Sequence, residues 1–77
     1  AVRQAPDHPW VLYLRGRIQH AAERLDEAAA SLRKCLEAGR HPVPLLALAL
    51  VCQEMGRQEE AAALFAEAAR LDPGNDQ

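Results

Sequence analysis

The stretch RLDEAAASL at residues 24–32 returns thirty-three residues later as RQEEAAALF at residues 57–65. The echo extends in both directions at the same offset. Pro9 answers to Pro42, Leu12 to Leu45, Gly16 to Ala49, Glu27 to Glu60 and Ala28 to Ala61. Further along, Leu32 answers to Phe65, Cys35 to Ala68 and Leu36 to Ala69. Similarity at a fixed period of roughly 20–50 residues is the mark of stacked supersecondary units, each unable to bury its apolar face alone. Ala, Leu, Glu, Arg and Gln dominate both copies while Val, Ile and Thr are scarce, so the units are predicted to be helical.

Each unit divides into two helices. In the second, Pro42 suits a first turn, where its missing N–H leaves no bond unmade. From there Leu45, Leu48, Ala49, Cys52 and Met55 fall at helical spacing on one side, and Gly56 closes the helix. A further helix from Gln58 to Leu71 turns Ala61, Ala62, Phe65, Ala68 and Ala69 inward, with Glu59, Glu60, Glu67 and Arg70 outward. Pro73 and Gly74 stop it. In the first unit the predicted helices run from Pro9 to Ala22 and from Leu25 to Ala38, with a turn near Glu23 and Arg24. Gly16, Ala28, Ala49 and Ala61 are small enough to let paired helices approach closely.

The second unit reads Leu45-x2-Leu48-Ala49-x2-Cys52, then Ala61-x3-Phe65, then Ala68 and Asp72-Pro73. It resembles a tetratricopeptide repeat, whose pattern runs large–x2–Leu–small–x2–aromatic, then Ala-x3-Phe, then Ala and Pro. Leu45 stands where that family favours Trp, and Cys52 where it favours Tyr. In the first unit Leu12, Gly16, Ala28, Leu32 and Cys35 match. Arg15 and Gln19 occupy places the family fills with apolar residues, and Arg40 replaces the closing proline. AVRQAP at residues 1–6 is similar to the end of an earlier repeat, with Ala1 and Pro6 in the closing positions. The resemblance implies an all-α fold of antiparallel helix-turn-helix repeats stacked as a short right-handed α-solenoid. Its parts are the end of a preceding repeat and a linker (1–8), two repeats (9–41 and 42–75) and a tail (76–77). The chain opens on Ala1 in mid-pattern and is expected to be a piece of something longer.

Arg15 and Gln19 leave the first helix with two readings. Its cleanest apolar arc is Val11, Leu14, Ile18, Ala22 and Leu25, rotated from the family register by a turned helix or an insertion near Glu23. The plain thirty-three-residue register is the one retained.

Composition excludes several classes of function. Nine basic and eleven acidic side chains give a net charge of −2 with no run of either sign, so no basic stripe offers itself to nucleic acid. The longest apolar run, Val43–Cys52, is half of the roughly 20 residues a membrane span requires. With no secretory signal in view, the cytoplasm is the default expectation. The Ala- and Arg-rich composition resembles that of bacterial proteins from GC-rich genomes. Cys35 and Cys52 read as reduced, apolar core residues, although a bond between them stays open. His8, His20 and His41 are scattered and share no zinc-type spacing with the cysteines, so no metal and no cofactor is expected. Ser31, the only serine, has no activating base in view. The carboxylate pairs Asp26-Glu27 and Glu59-Glu60 recur at equivalent helix starts, which favours a structural role over catalysis. No enzyme activity is predicted for this segment, although tetratricopeptide segments are often joined to catalytic domains.

What remains is surface. In tetratricopeptide arrays the first helix of each repeat lines the concave side, where protein or peptide partners lie. The resemblance therefore implies a groove of Trp10, Tyr13, Leu14 and Arg17 from the first unit and Val43, Leu46, Ala47, Leu50 and Glu54 from the second. Trp10 and Tyr13 have a rival role, packing against a preceding repeat. Chaperone-binding members of the family grip a terminal carboxylate with Lys, Arg and Asn at these inner positions. Here those positions hold mostly Leu, Ala and Val, with Arg17 alone able to grip an anion, so no carboxylate clamp is expected. The leading reading is a binding module with a mainly apolar groove. The alternative is homo-oligomerisation through an apolar terminal flank of Leu64, Phe65, Ala68 and Leu71, since about three repeats are normally needed for stability.

Overall fold

A computed structural model describes residues 8–71, which form four helices and no strand. They are α1 (Pro9–Ala21), α2 (Leu25–Ala38), α3 (Pro42–Glu54) and α4 (Gln58–Leu71). α2 and α4 match the predicted spans, α3 ends just before Gly56 as expected, and α1 ends one residue early. The expected closing repeat tail at residues 1–7, the Pro73-Gly74 stop and the tail at 76–77 lie outside the described residues. α1 pairs with α2, α3 pairs with α4, and α2 lies against α3, so two helical hairpins stack as a short α-solenoid.

The chain starts and stops its helices by local chemistry. The His8 imidazole Nδ1 accepts the Trp10 backbone N–H at 3.2 Å, and Pro9 supplies the first-turn φ without an N–H to satisfy. Pro42 does the same for α3. Both first helices end in one hydrogen-bond pattern. In the first hairpin the Glu23 N–H donates to the His20 carbonyl and the Arg24 N–H to the Gln19 carbonyl, with Glu23 at φ 65°. Thirty-three residues on, the Gly56 N–H donates to Gln53 and the Arg57 N–H to Cys52, with Gly56 at φ 85°. This is the left-handed closure that Gly adopts freely and Glu adopts under strain.

The core runs between the helices. Leu32, Leu45, Val51 and Cys52 are the largest side chains buried outright, and Tyr13, Leu25, Met55 and Phe65 pack against the cluster they belong to. α1 buries Leu12 and Gly16. That is the plain register, and the rival arc of Val11, Leu14 and Ile18 points outward. At Gly16 the helices are so close that an added Cβ would lie 2.7 Å from the Leu32 Cγ. α3, flanked by α1, α2 and α4, is buried on more sides than its sequence pattern shows. Ala47 and Val51 are covered as fully as Leu45 and Leu48.

On α4 the inward set differs from expectation. Ala61, Leu64 and Ala68 are buried, whereas Ala62 and Ala69 are exposed. At about 100° per residue, Leu64 falls between the directions of Ala61 and Glu60, facing the partner helix. The predicted terminal flank is corrected for the same reason: Leu64 and Ala68 belong to the chain's own core and Phe65 packs on it, leaving Leu71 as the exposed member.

The two polar intruders in the first hairpin also have explanations. Gln19 is half-buried and accepts a 2.7 Å hydrogen bond from the Ser31 hydroxyl across the α1–α2 seam. In the second hairpin the equivalent positions are Cys52 and Leu64, so both partners change from polar to apolar together. Arg15 is exposed. Arg40, in the place of the family's proline, clasps Glu67 of α4 with two donors, one at 2.7 Å, and Arg33 donates to Glu60 at 2.6 Å. Glu60 and Glu67 are thus half-buried beneath Arg33 of α2 and Arg40 of the α2–α3 connection, a correction to their predicted outward placement. Hydrogen bonding to Arg40 holds the Glu67 carboxyl below the usual carboxylate range and raises Arg40.

Candidate groove between the first helices of the two hairpins

Because α1 and α3 each pack on their own hairpin partner, they touch one another only sparsely, and a trough opens between them. Its larger part, about 340 Å³, is lined by Tyr13, Arg17 and His20 of α1 and by Val43, Leu46, Ala47 and Leu50 of α3. A second depression of about 270 Å³ adjoins it, lined by Pro9, Trp10, Tyr13, Cys35, His41, Val43 and Pro44. Tyr13 and Val43 belong to both, so the two form one trough. Trp10, Tyr13 and Arg17 succeed one another along its α1 wall. The Trp10 and Tyr13 rings lie 5.3 Å apart at 31°, and the Arg17 guanidinium donates to the Tyr13 hydroxyl at 2.7 Å. That bond uses one of five donors and holds the cation at the rim with capacity left over.

The floor and the α3 wall are apolar. Ala47 is buried, whereas Val43, Leu46 and Leu50 remain 42–53% exposed, a high fraction for aliphatic side chains on so apolar a helix. One end is closed by a His20–Glu54 contact at 3.1 Å that ties α1 to α3. Seven of the nine predicted groove residues therefore line the trough: Trp10, Tyr13, Arg17, Val43, Leu46, Ala47 and Leu50. Glu54 serves as His20's partner at its end. Leu14 does not face it. About 100° round the helix from Tyr13, Leu14 points away from α3, and it is exposed there. Pro9, His20, Cys35, His41 and Pro44 went unpredicted. His20 was legible as Tyr13+7 and Arg17+3 on one strip, but it reads as a boundary residue until α3 brings Glu54 to it.

The thiols and the hydroxyl nearest the trough are each buried and occupied in packing or hydrogen bonds. Cys35 and Cys52 are free thiols, buried, with pKa values raised by desolvation, which lowers their thiolate fraction. The Cys35 thiol donates to the Pro9 carbonyl at 3.2 Å. Ser31 is occupied with Gln19 rather than a base. Among the described residues no three His, Cys, Asp or Glu side chains come together to hold a metal ion, and no helix is long and apolar enough to cross a membrane.

Residues 43–75 match a family model described as tetratricopeptide repeat, and residues 11–38 match a second model of the same description. Neither the curated proteins nor the solved structures yield a match.

Proposed function

The chain belongs to the tetratricopeptide repeat family, whose units mediate protein–protein interaction, and on that footing we propose that the α1–α3 trough binds an apolar segment of a partner protein. The observation that carries this reading is the α3 wall. Val43, Leu46 and Leu50 stand exposed in a concave strip, although α3 buries its other apolar side chains thoroughly. An occupant offering apolar side chains at helical spacing would cover them, as in helix-in-groove recognition. Trp10, Tyr13 and Arg17 are of the residue types that dominate binding hot spots. Arg17 sets a polar preference at the rim, for a carboxylate or carbonyl beside the apolar contacts. With one cation on the wall, affinity rests on apolar burial and not on a terminal carboxylate.

Selection from a displayed library of random peptides tests the assignment. Enriched peptides are expected to carry apolar residues spaced three or four apart. They should lose at least tenfold in affinity against Leu50→Glu, a change that places a charge in the strip and leaves the core untouched. Enrichment of peptides that bind Leu50→Glu as tightly as the unaltered chain would overturn the assignment.

A further inference from the structure

The two parts of the trough leave different chemistry for an occupant. In the depression walled by Pro9, Trp10, Tyr13, Val43 and Pro44, the polar groups are already engaged. The Cys35 thiol donates to the Pro9 carbonyl, and the Tyr13 hydroxyl accepts from Arg17. The His41 ring lies against Gly39, its Nε2 3.0 Å from where a Cβ would stand. What is left is carbon and two aromatic rings. A dry cavity of about 150 Å³ accepts a benzene ring, so this depression of about 270 Å³ has room for one aromatic side chain. The Trp10 and Tyr13 rings, tilted by 31° to one another, offer a third ring the offset and edge-to-face contacts that aromatic groups favour. Tyrosine or tryptophan would bring in a donor with no acceptor to meet it, so phenylalanine fits best.

The larger part of the trough carries the charge. Arg17 is held by its bond to Tyr13, with the guanidinium carbon 5.7 Å from that ring's centroid and donors to spare. His20 and Glu54 answer each other at 3.1 Å. Among the described residues no carboxylate forms an ion pair with Arg17, so the trough presents one unmatched positive charge.

Resting on the reading of the trough as a binding site, we propose that its occupant is an amphipathic helix with a phenylalanine seated in the Trp10 depression and an acidic side chain paired with Arg17. The spacing between the two follows from α1. Arg17 stands four residues from Tyr13 and seven from Trp10, rises of about 6 Å and about 10 Å along the helix. A partner helix lying alongside spans the same distances with the same separations, so its Asp or Glu falls four or seven residues from its Phe. The phenylalanine supplies most of the affinity, because Arg17 is exposed and its ion pair is screened. The carboxylate sets the direction in which the helix lies.

Trp10 is the chain's single tryptophan, so its emission reports on the depression alone. The probes are tryptophan-free peptides selected from the random library on the 77-residue chain and shown to depend on Leu50. They are expected to carry Phe with Asp or Glu four or seven residues away, and to shift the Trp10 emission to the blue on saturation. Replacing the peptide's Phe by Ala should abolish that shift and weaken binding at least about tenfold. Replacing its acidic residue by the amide should weaken binding about threefold. Selection repeated on Arg17→Glu, a change at an exposed position, should keep Phe and exchange the acidic residue for Lys or Arg. Leu50-dependent peptides that leave the Trp10 emission unchanged would overturn the proposal while the trough reading stands. So would an acidic preference that persists on Arg17→Glu. A selection that yields no Leu50-dependent peptide would overturn both.

Discussion

Replacing Gly16 by Ala sets two effects of known size against each other. In a helix interior Ala is favoured over Gly by about 1 kcal/mol, so an exposed site would gain stability. At Gly16 the new Cβ would sit 2.7 Å from the Leu32 Cγ and 2.9 Å from its Cδ2. Carbon atoms in contact settle at about 3.5–4.0 Å, so one of the groups must move by close to an ångström. Leu32 has nowhere to go, being 0% exposed at the centre of the α1–α2 seam. Overpacking of this kind costs about 1–3 kcal/mol, and a contact this short at the branch carbon of a trapped side chain falls in the upper part of that range. The net expectation is a loss of about 1–2 kcal/mol, measured by urea unfolding followed by circular dichroism. The cause is separable from the propensity gain. Leu32→Ala alone should cost about 2–5 kcal/mol, and the double variant should lose at least about 1 kcal/mol less than the sum of the singles. A Gly16→Ala chain more stable than the original would refute the claim that close helix approach requires glycine here.

Three more outcomes are open to the same unfolding assay. The two left-handed closures should respond with opposite signs. Glu23→Gly should stabilise by about 1 kcal/mol, and Gly56→Ala should destabilise by a similar amount through the backbone alone, since nothing lies within 4 Å of the added carbon. Gln19→Leu should cost about 1 kcal/mol by stranding the buried Ser31 hydroxyl, and the pair Gln19→Cys with Ser31→Leu, copied from the second hairpin, should recover that loss. Because Glu67's carboxyl titrates below its ordinary range in the folded chain, the Arg40 clasp contributes stability above the ordinary carboxylate pKa and loses it as pH falls through the lowered native value. Glu67→Gln should flatten that acid limb, and a limb of unchanged steepness would show that the clasp does not set it.

The sequence made the helices and the hairpin register legible because their causes are local or periodic. Prolines at Pro9 and Pro42, the closure at Gly56 and the recurrence of Ala28 at Ala61 can be read without knowing what packs on what. The inward side of α4 was misread at Ala62 and Ala69. Alanine is compatible with either side of a helix, and Leu64 settles on the side that faces α3. Glu60 and Glu67 were misread for a related reason. A carboxylate looks solvated until a cation arrives from twenty-seven residues away in sequence, as Arg33 and Arg40 do. In the trough, spacing put Tyr13 with Arg17 and Leu46 with Leu50 on one strip of each helix, and it was the family resemblance that turned those strips to the concave side. Leu14 was misassigned because a helix of this composition has two exposed apolar strips, and periodicity alone does not say which one faces α3.

The trough itself follows from where the small residues stand. Gly16 draws α1 down onto α2, and Ala49, with Ala61 across the seam, does the same for α3 and α4. α2 packs on α3 within the same core cluster, to which Ala29 and Leu36 of α2 belong. Tight approach within the hairpins fixes the rotation of each, and α1 and α3 are left touching only sparsely, with the small Ala47 on the floor between them. Side chains of ordinary size, Tyr13 and Leu46 among them, then line a gap they do not fill. Larger residues at Gly16 or Ala49 would loosen the hairpins and let the first helices settle toward each other. The concave strip therefore depends on packing at positions that no partner would touch. A substitution at Gly16 is expected to weaken peptide capture as well as folding, whereas one at Leu50 should weaken capture alone.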